Sequence, residues 1–177
     1  MATGTETYYE VSKSCYAFDM GGRDNVTLYN WPNTGAIKQK WAPNGKAFCG
    51  EINGNGLIIY NLFTNLQGFI PVVTGGTVVR NFIFKYNTIS SSSTNIFRGS
   101  GCVIGYHTNE SVNNKRYIRV ENCAIVRSSI SDGEIAAAIV GNARHATTVI
   151  NACCCYFNSF SDCRENATSA GGFLGTF

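Results

Sequence analysis

The chain has 177 residues and a formal net charge of +3, and charged residues make up 14% of it. This length suits one domain with a sizeable core, and the small net charge excludes a strong electrostatic attraction to nucleic acid or to a membrane surface. Gly, Asn, Ser and Thr are abundant and β-branched residues dominate the apolar runs, a composition that favours short strands joined by turns over helices.

Residues 1–40 contain no repeat, and we expect them to form a cap or flanking segment beside a domain at residues 41–177. The first ten residues, MATGTETYYE, have no basic stretch followed by an apolar run, so they do not predict a signal peptide. No apolar run approaches the roughly 18 residues that a membrane-spanning helix needs, and we expect no membrane span. The sequence leaves the compartment open and favours a cell surface, an extracellular location or a virus particle.

Two short motifs alternate strictly along the rest of the chain. The first is a strand start, which begins at Ile59, Val79, Val120 and Ile150. The second is a small, apolar ending, seen in GFIP, CVIG, AIVG and GFLG, whose last residues are 71, 105, 141 and 175. These endings recur every 34, 36 and 34 residues, and a period in the thirties without a helical pattern predicts a β-solenoid.

Stacked coils place equivalent residues about 4.8 Å apart, so like residues should form columns. The alignment predicts a bend at Asn61, Asn81 and Asn122, because Asn tolerates unusual backbone angles. It predicts two inward columns, first Leu62, Phe82, Cys123 and Cys153, then Thr64, Phe84, Ile125 and Cys155. Between them lies an apolar outward column of Phe63, Ile83, Ala124 and Cys154. Further columns are Ile89, Ile130 and Phe160, and at the endings Ile70, Ile104, Val140 and Leu174.

The stretch FCGEINGNGLIIYNL at residues 48–62 resembles the opening coil of GLUG-type repeat domains, and AGGFLG at residues 170–175 resembles their ending. The resemblance covers roughly residues 41–177. It implies a right-handed parallel β-helix of the kind found in adhesin-like surface proteins, which is an architecture and not an activity. The cysteines and the small number of coils depart from that family. We therefore expect an all-β, right-handed parallel β-solenoid of about four coils.

The cysteine run in INACCCYF at residues 150–157 is unusual. Neighbouring residues on a strand point to opposite faces, so the three sulfurs should not converge on one ion, and we expect neither a metal site nor a cofactor even with His145 and Cys163 nearby. Cys123 and Cys153 share a column in adjacent coils, at a separation that permits a disulfide. In a reducing compartment they would remain thiols packed in the core, which is the favoured interpretation.

Asp132 and Asp162 are the best candidates for a catalytic pair, because they align one coil apart in the Ser-rich stretches SISDGE and SFSDCRE. Glycosidases use two carboxylates about 5–9.5 Å apart. The alternative, which we favour, is that both are solvated turn residues. The sequence thus leaves enzymatic activity undecided and leans against it. Three sequons, at Asn25, Asn109 and Asn166, would carry glycans only in a secreted protein.

Two features predict protein partners or self-association. The apolar outward column needs a cover, either the N-terminal segment or another chain. The chain's last coil, with Phe173, Leu174 and Phe177, lacks a polar cap, so this end is either docked on a partner or cut from a longer protein. Glycans are a further candidate ligand, since exposed aromatic residues suit sugar rings; the candidates are Tyr8, Tyr9, Tyr29, Trp31 and Tyr106. The basic residues Lys115, Arg116 and Arg119 are too few to predict nucleic-acid binding.

The function predicted from the sequence is therefore a non-enzymatic structural or adhesive module in a larger surface, filament or virion assembly. The alternative is a carbohydrate-active β-helix that binds or cleaves a polysaccharide.

Overall fold

The computed structural model describes residues 7–19, 47–64, 67–90, 99–111, 115–132, 135–144, 146–162 and 169–176. Within these ranges the regular structure is entirely β, and every strand pairing is parallel. This arrangement is compatible with the expected β-helix. The same residues contain no helix, and hence none that is long and apolar enough to cross a bilayer.

The strands fall into four sheets. The long sheet has the order β1-β3-β6-β10-β15, with β2, β11 and β16 continuing it past a bend. Its strands are β1 (Thr7–Glu10), β2 (Ala17–Asp19), β3 (Gly50–Tyr60), β6 (Thr77–Lys85), β10 (Tyr117–Glu121), β11 (Ala124–Val126), β15 (Thr147–Asn151) and β16 (Cys154–Tyr156).

The other three sheets are shorter. The second sheet contains β4 (Phe63–Thr64), β7 (Thr88–Ser90), β12 (Ser129–Asp132) and β17 (Ser159–Asp162). The third contains β8 (Ser100–Gly101), β13 (Ile135–Ala137) and β18 (Ser169–Gly171). The fourth contains β5 (Ile70–Gly75), β9 (Ile104–Ser111), β14 (Val140–Asn142) and β19 (Leu174–Thr176).

The chain passes through these sheets in repeated order, which defines four units: β3–β5, β6–β9, β10–β14 and β15–β19. In each sheet, successive units lie side by side. The endings pair as the sequence predicts, with Ile70 beside Ile104, Ile104 beside Val140, and Val140 beside Leu174. The predicted column of Ile89, Ile130 and Phe160 is also confirmed.

The endings contain small residues because the backbones of neighbouring units approach each other closely there. A Cβ added at Gly105 would lie 2.3 Å from the carbonyl oxygen of Pro71, and one at Gly141 would lie 2.4 Å from the carbonyl carbon of Gly99. Both distances are shorter than real Cβ contacts allow, so only glycine fits at these positions. The recurring glycine is therefore a packing requirement between units.

The expected register of the first unit is wrong. Ile52, and not Ile59, lies beside Val79, while Ile59 lies beside Phe84. The cause is an irregularity between Asn53 and Leu57 in β3, where the NGNG stretch adds residues that the next unit lacks.

The same correction changes three predicted columns. Leu57 and Ile59 take the inward places that the sequence assigned to Leu62 and Thr64. Ile58 replaces Phe63 in the outward column with Ile83, Ala124 and Cys154. Phe63 lies instead beside Thr88, and Thr64 beside Ile89, both in the second sheet.

Each unit bends twice, and at both bends a residue has a positive φ. The first bend is formed by Asn55, Asn81, Asn122 and Ala152, with φ between 49° and 61°. The second is formed by Asn61, Tyr86, Arg127 and Phe157, with φ between 48° and 56°. Asn61 was thus placed at the wrong bend by the sequence alignment. Asn adopts such angles readily, whereas the other residue types at these positions are strained.

The core draws residues from all four sheets into one cluster. An aromatic group lies at its centre: Phe69 is 5.6 Å from Phe82 and 5.3 Å from Phe84 between ring centroids. Residues 7–19 lie on the other side of β3, where β1 and β2 each pair with it in parallel. Val11 and Cys15 of this segment pack against the core. The remainder of the expected cap, residues 1–6 and 20–40, lies outside the described residues.

Candidate functional site

A groove of about 510 Å³ follows the first bend across the units. It is lined by Asn55, Gly56, Asn81, Phe82, Ile83, Asn122, Cys123, Ala124, Ala152 and Cys154. We call it the bend groove. Because the groove crosses the strands, each unit contributes an equivalent short segment to it. The chemistry of the groove depends on residues stacked from several units, and no single sequence motif reveals it.

The polar wall of the bend groove belongs to a row of side-chain amides that we call the amide ladder. Asn122 donates from Nδ2 to Oδ1 of Asn81 at 2.8 Å, and Asn81 donates in the same way to Asn53 at 2.8 Å. Asn53 donates to the Glu10 carboxylate at 3.3 Å. The fourth unit has Ala152 at the bend, so the ladder does not continue into it.

The outward column contributes Ile83, Ala124 and Cys154 to the lining of the bend groove. Ile58, Ile83 and Ala124 are half-buried, and Cys154 is exposed. Ala17 of the N-terminal strand β2 lies beside Ile58 and extends this column by one position.

The three adjacent cysteines divide between two faces, as predicted. Cys153 and Cys155 pack against the core, while Cys154 is exposed. All seven cysteines in the described residues are free thiols, and Cys163 lies outside those residues. The cysteine run is therefore an ordinary part of the strand. Cys153 and Cys155 correspond to Leu57 and Ile59 of the first unit, and not to Leu62 and Thr64.

Cys123 and Cys153 lie next to each other in adjacent units, as the alignment predicts. The Cys154 amide donates to the Cys123 carbonyl at 3.0 Å, which fixes the two cysteines in register. The two thiols each donate to a backbone carbonyl, Cys123 to Glu121 at 3.3 Å and Cys153 to Asn151 at 3.3 Å. The interaction with the neighbouring Cys123 side chain lowers the pKa of Cys153 to about 7. The same interaction, followed by burial, raises the pKa of Cys123.

Two further thiols are held in the protonated form. Burial raises the pKa of Cys102 to about 12, although the Asn87 side chain donates to its sulfur at 3.9 Å. Burial also raises the pKa of Cys155 to about 12. Because thiolates are the reactive form of cysteine, both side chains act as small apolar residues at neutral pH.

Asp132 and Asp162 lie side by side in the register of β12 and β17. This backbone position agrees with the alignment on which a carboxylate pair was predicted. Glu134 and Glu165, the nearby acidic residues, lie outside the described residues, as does His145. Catalysis at these aspartates stays a prediction.

The other predicted sites are spread over the molecule. Asn109 lies on β9, whereas Asn25 and Asn166 lie outside the described residues. Among the candidate glycan-binding aromatics, Tyr8 is exposed and Tyr106 is half-buried. Tyr29 and Trp31 lie outside the described residues. Arg119 of the small basic group pairs with Glu121 at 2.9 Å, so its charge is partly balanced.

The last unit, β15–β19, presents an exposed apolar surface. Each of its strands pairs with the third unit alone among the described strands, so its outer edge is unpaired in every sheet. Ile130 and Ile139 are fully buried in the third unit, but their equivalents Phe160 and Phe173 are 36% and 46% exposed. Leu174 is half-buried, and Phe177 lies outside the described residues.

Three exposed side chains of the last unit outside the core columns are also apolar, among polar neighbours such as Asn151 and Ser159. Val149 is 37% exposed, Tyr156 is 58% exposed and Phe157 is 69% exposed. The sequence predicted the open end from Phe173 and Leu174. It missed the contribution of Phe160 and Tyr156, because only the stack shows that the whole unit has one neighbour.

Comparisons with models of protein families, with curated proteins and with solved structures gave no significant match. The resemblance to GLUG-type repeats therefore stays a prediction from the residues that carry it.

Proposed function

We propose that the chain is a right-handed parallel β-solenoid of about four coils and acts as a non-enzymatic structural or adhesive module in a larger assembly. The solenoid is supported by the order of the sheets, in which each unit adds parallel strands beside those of the unit before it. Parallel neighbours require a crossover connection, and such connections are right-handed in nearly all known cases. The resemblance to GLUG-type repeats supports the same architecture.

The assembly role rests on one observation, the apolar edge of the last unit, which no other described strand pairs with. Phe160 and Phe173 occupy inward columns that are fully buried one unit earlier. Edge strands with unpaired backbone groups pair readily with another chain, and apolar residues beside them add a driving force for burial.

The partner that fits this edge best is the N-terminal segment of a second copy. β1 and β2 pair only with β3 among the described strands, so they present a second unpaired edge at the opposite side of the long sheet. Continuing the observed register would place Val149 beside Tyr8 of the next copy, both exposed. It would also place Asn151 beside Glu10, an amide–carboxylate pair like the one that Asn53 already makes.

A head-to-tail contact of this kind is heterologous. Unlike surfaces meet in each contact, and repeated application of one such contact gives a ring or an open filament. The strands of the long sheet are parallel throughout, which favours the same parallel alignment across the contact. The proposal therefore predicts linear growth with concentration.

The test is light scattering of the full chain over a range of concentrations, together with two matched lysine substitutions. Val149→Lys places a charge on the unpaired edge and should abolish association, because charged edge residues block strand pairing. Val78→Lys places the same charge in the same column in the middle of the stack, where Arg119 is already accepted, and should leave association unchanged. A wild-type chain that stays monomeric at its highest soluble concentration would overturn the proposal.

Polysaccharide binding or cleavage is the second candidate function. It is favoured by the register that sets Asp132 beside Asp162, since two neighbouring carboxylates are what glycoside hydrolysis requires. The test compares glycan cleavage by the wild-type chain with that of an Asp132→Asn, Asp162→Asn double variant. Cleavage lost in the double variant supports an enzyme, whereas equal cleavage, or none in either protein, removes this candidate.

A further inference from the structure

We propose that Cys123 and Cys153 form a disulfide between the third and last units by exchange with a small disulfide, such as glutathione disulfide. The bond would fasten the exposed last unit to the rest of the stack. The inference concerns the stability and chemistry of one chain, so it stands whether or not the chain assembles with others.

The backbone already holds the two cysteines at a suitable separation. Each immediately precedes a strand, and those strands, β11 and β16, pair in register with Ala124 beside Cys154. Equivalent Cα atoms of neighbouring strands lie about 4.8 Å apart, within the range of about 4.4–6.8 Å seen in disulfides. No change of register is needed to close the bond.

Both side chains also turn to the same face. Cys123 is 1% exposed and belongs to the core cluster, and Cys153 packs against that cluster. Cys154, the next residue, turns to the opposite face and is exposed. The geometry therefore selects Cys153 over Cys154 as the partner of Cys123, even though Cys154 is the more accessible thiol.

The two thiols have different roles in the exchange. Cys153 is half-buried, and its lowered pKa, about 7, leaves a large fraction as thiolate at neutral pH. This thiolate attacks one sulfur of glutathione disulfide and releases one glutathione thiolate, which takes up a proton from water. The product is a mixed disulfide between Cys153 and glutathione.

Cys123 completes the reaction. The first cause of its raised pKa is the interaction with the Cys153 side chain, which ends once Cys153 is bound to glutathione, whereas burial continues to raise it. Cys123 therefore gives up its proton as it attacks the Cys153 sulfur, and the glutathione that is expelled takes up a proton. Overall, two protein thiols are oxidised to one disulfide, and one glutathione disulfide is reduced to two glutathione molecules.

The experiment treats the reduced full chain with glutathione disulfide and maps the products by intact mass and by non-reducing peptide analysis. The expected product of the wild-type chain is a single 123–153 disulfide. Cys123→Ser should stop at one glutathione adduct on Cys153, and Cys153→Ser should form no such bond. Cys154→Ser is the matched control within the same run and should behave as the wild type.

A second measurement needs no substitution and covers the case of a variant that does not fold. The rate of alkylation of Cys153 in the wild-type chain, followed against pH by peptide mapping, should reach half its maximum near pH 7. A disulfide or adduct that forms first at Cys154, an unreacted wild-type chain, or a Cys153 that titrates near the ordinary value of 9.0 would overturn the proposal.

Discussion

The second and last units follow the same backbone path but differ in how they are packed. At the inward column after the first bend, the residues are Phe82, Cys123 and Cys153 in successive units, and two positions later they are Phe84, Ile125 and Cys155. The side chains become smaller toward the last unit, and the exposed fraction rises. The comparison shows that a shared register fixes the direction of a side chain, while the number of neighbouring units fixes its burial.

The largest expected change in stability comes from alanine substitution in one inward column. Phe84→Ala should lower the free energy of unfolding by about 3–5 kcal/mol, because the ring is fully buried against Phe69 and Phe82. Cys155→Ala, two units on, should lower it by only about 1 kcal/mol, because its side chain is small and half-buried. Urea unfolding measures both, and equal losses would contradict the comparison.

The second bend offers a comparison with hydrogen bonds in place of apolar contacts. Asn87 accepts from the Leu62 amide at 2.8 Å and donates to the Ile59 carbonyl at 3.3 Å. Asn158 makes the same two bonds to Ser128 and Ile125, both at 2.9 Å.

The two asparagines differ in burial, since Asn87 is 1% exposed and Asn158 is half-buried. Asn87→Ala should therefore destabilise the chain by about 2–3 kcal/mol, because buried backbone groups lose their partners, and Asn158→Ala by about 1 kcal/mol, because water replaces the lost bonds. Thermal unfolding of the two variants measures the difference. A greater loss in Asn158→Ala would show that the last unit is covered in solution.

The third test gives the last unit the asparagine that the earlier units have at the first bend. Ala152→Asn should raise the free energy of unfolding by about 0.5–1 kcal/mol, because Asn tolerates the φ of 51° better than Ala does and extends the amide ladder by one amide. Ala152→Gly is the control, since it relieves the backbone angle without supplying an amide. If the two variants are equally stable, the ladder has no part in the effect.

The last test is the dependence of stability on pH. The pKa of Cys153 is about 7 in the folded chain, below its ordinary value of 9.0. The stability that this thiolate contributes is therefore fully present above about pH 9 and is lost as the pH falls through 7. The difference in unfolding free energy between the wild type and Cys153→Ser should rise over this window. A flat difference would show that Cys123 does not lower the pKa of Cys153 in solution.

Much of the fold was predictable where one signal recurs in every unit. The spacing of the glycine endings gave the correct register of the fourth sheet, and the column of Ile89 and Ile130 gave that of the second. The alternation of side chains along a strand was enough to divide Cys153 and Cys154 between two faces. These features depend on local geometry and on repetition, both of which are visible in the chain.

The first unit and the second bend were not predictable for physical reasons. Two bends per unit both accept Asn, so Asn61 was mistaken for the equivalent of Asn81, and the irregularity after Asn53 concealed the error. Tyr86 and Arg127 carry no sign of a positive φ, because the neighbouring units impose that conformation on them. The exposure of Phe160 depends on its place in the stack, which its identity does not encode.

The amide ladder has a direction. Each of its asparagines donates toward the N-terminal side, and the row ends on the Glu10 carboxylate, which can only accept. Reversing one side chain would set donor against donor on one side and acceptor against acceptor on the other, so the three amides keep their orientation collectively. The Glu10 carboxylate thus fixes the orientation of a row of side-chain amide dipoles that spans three units.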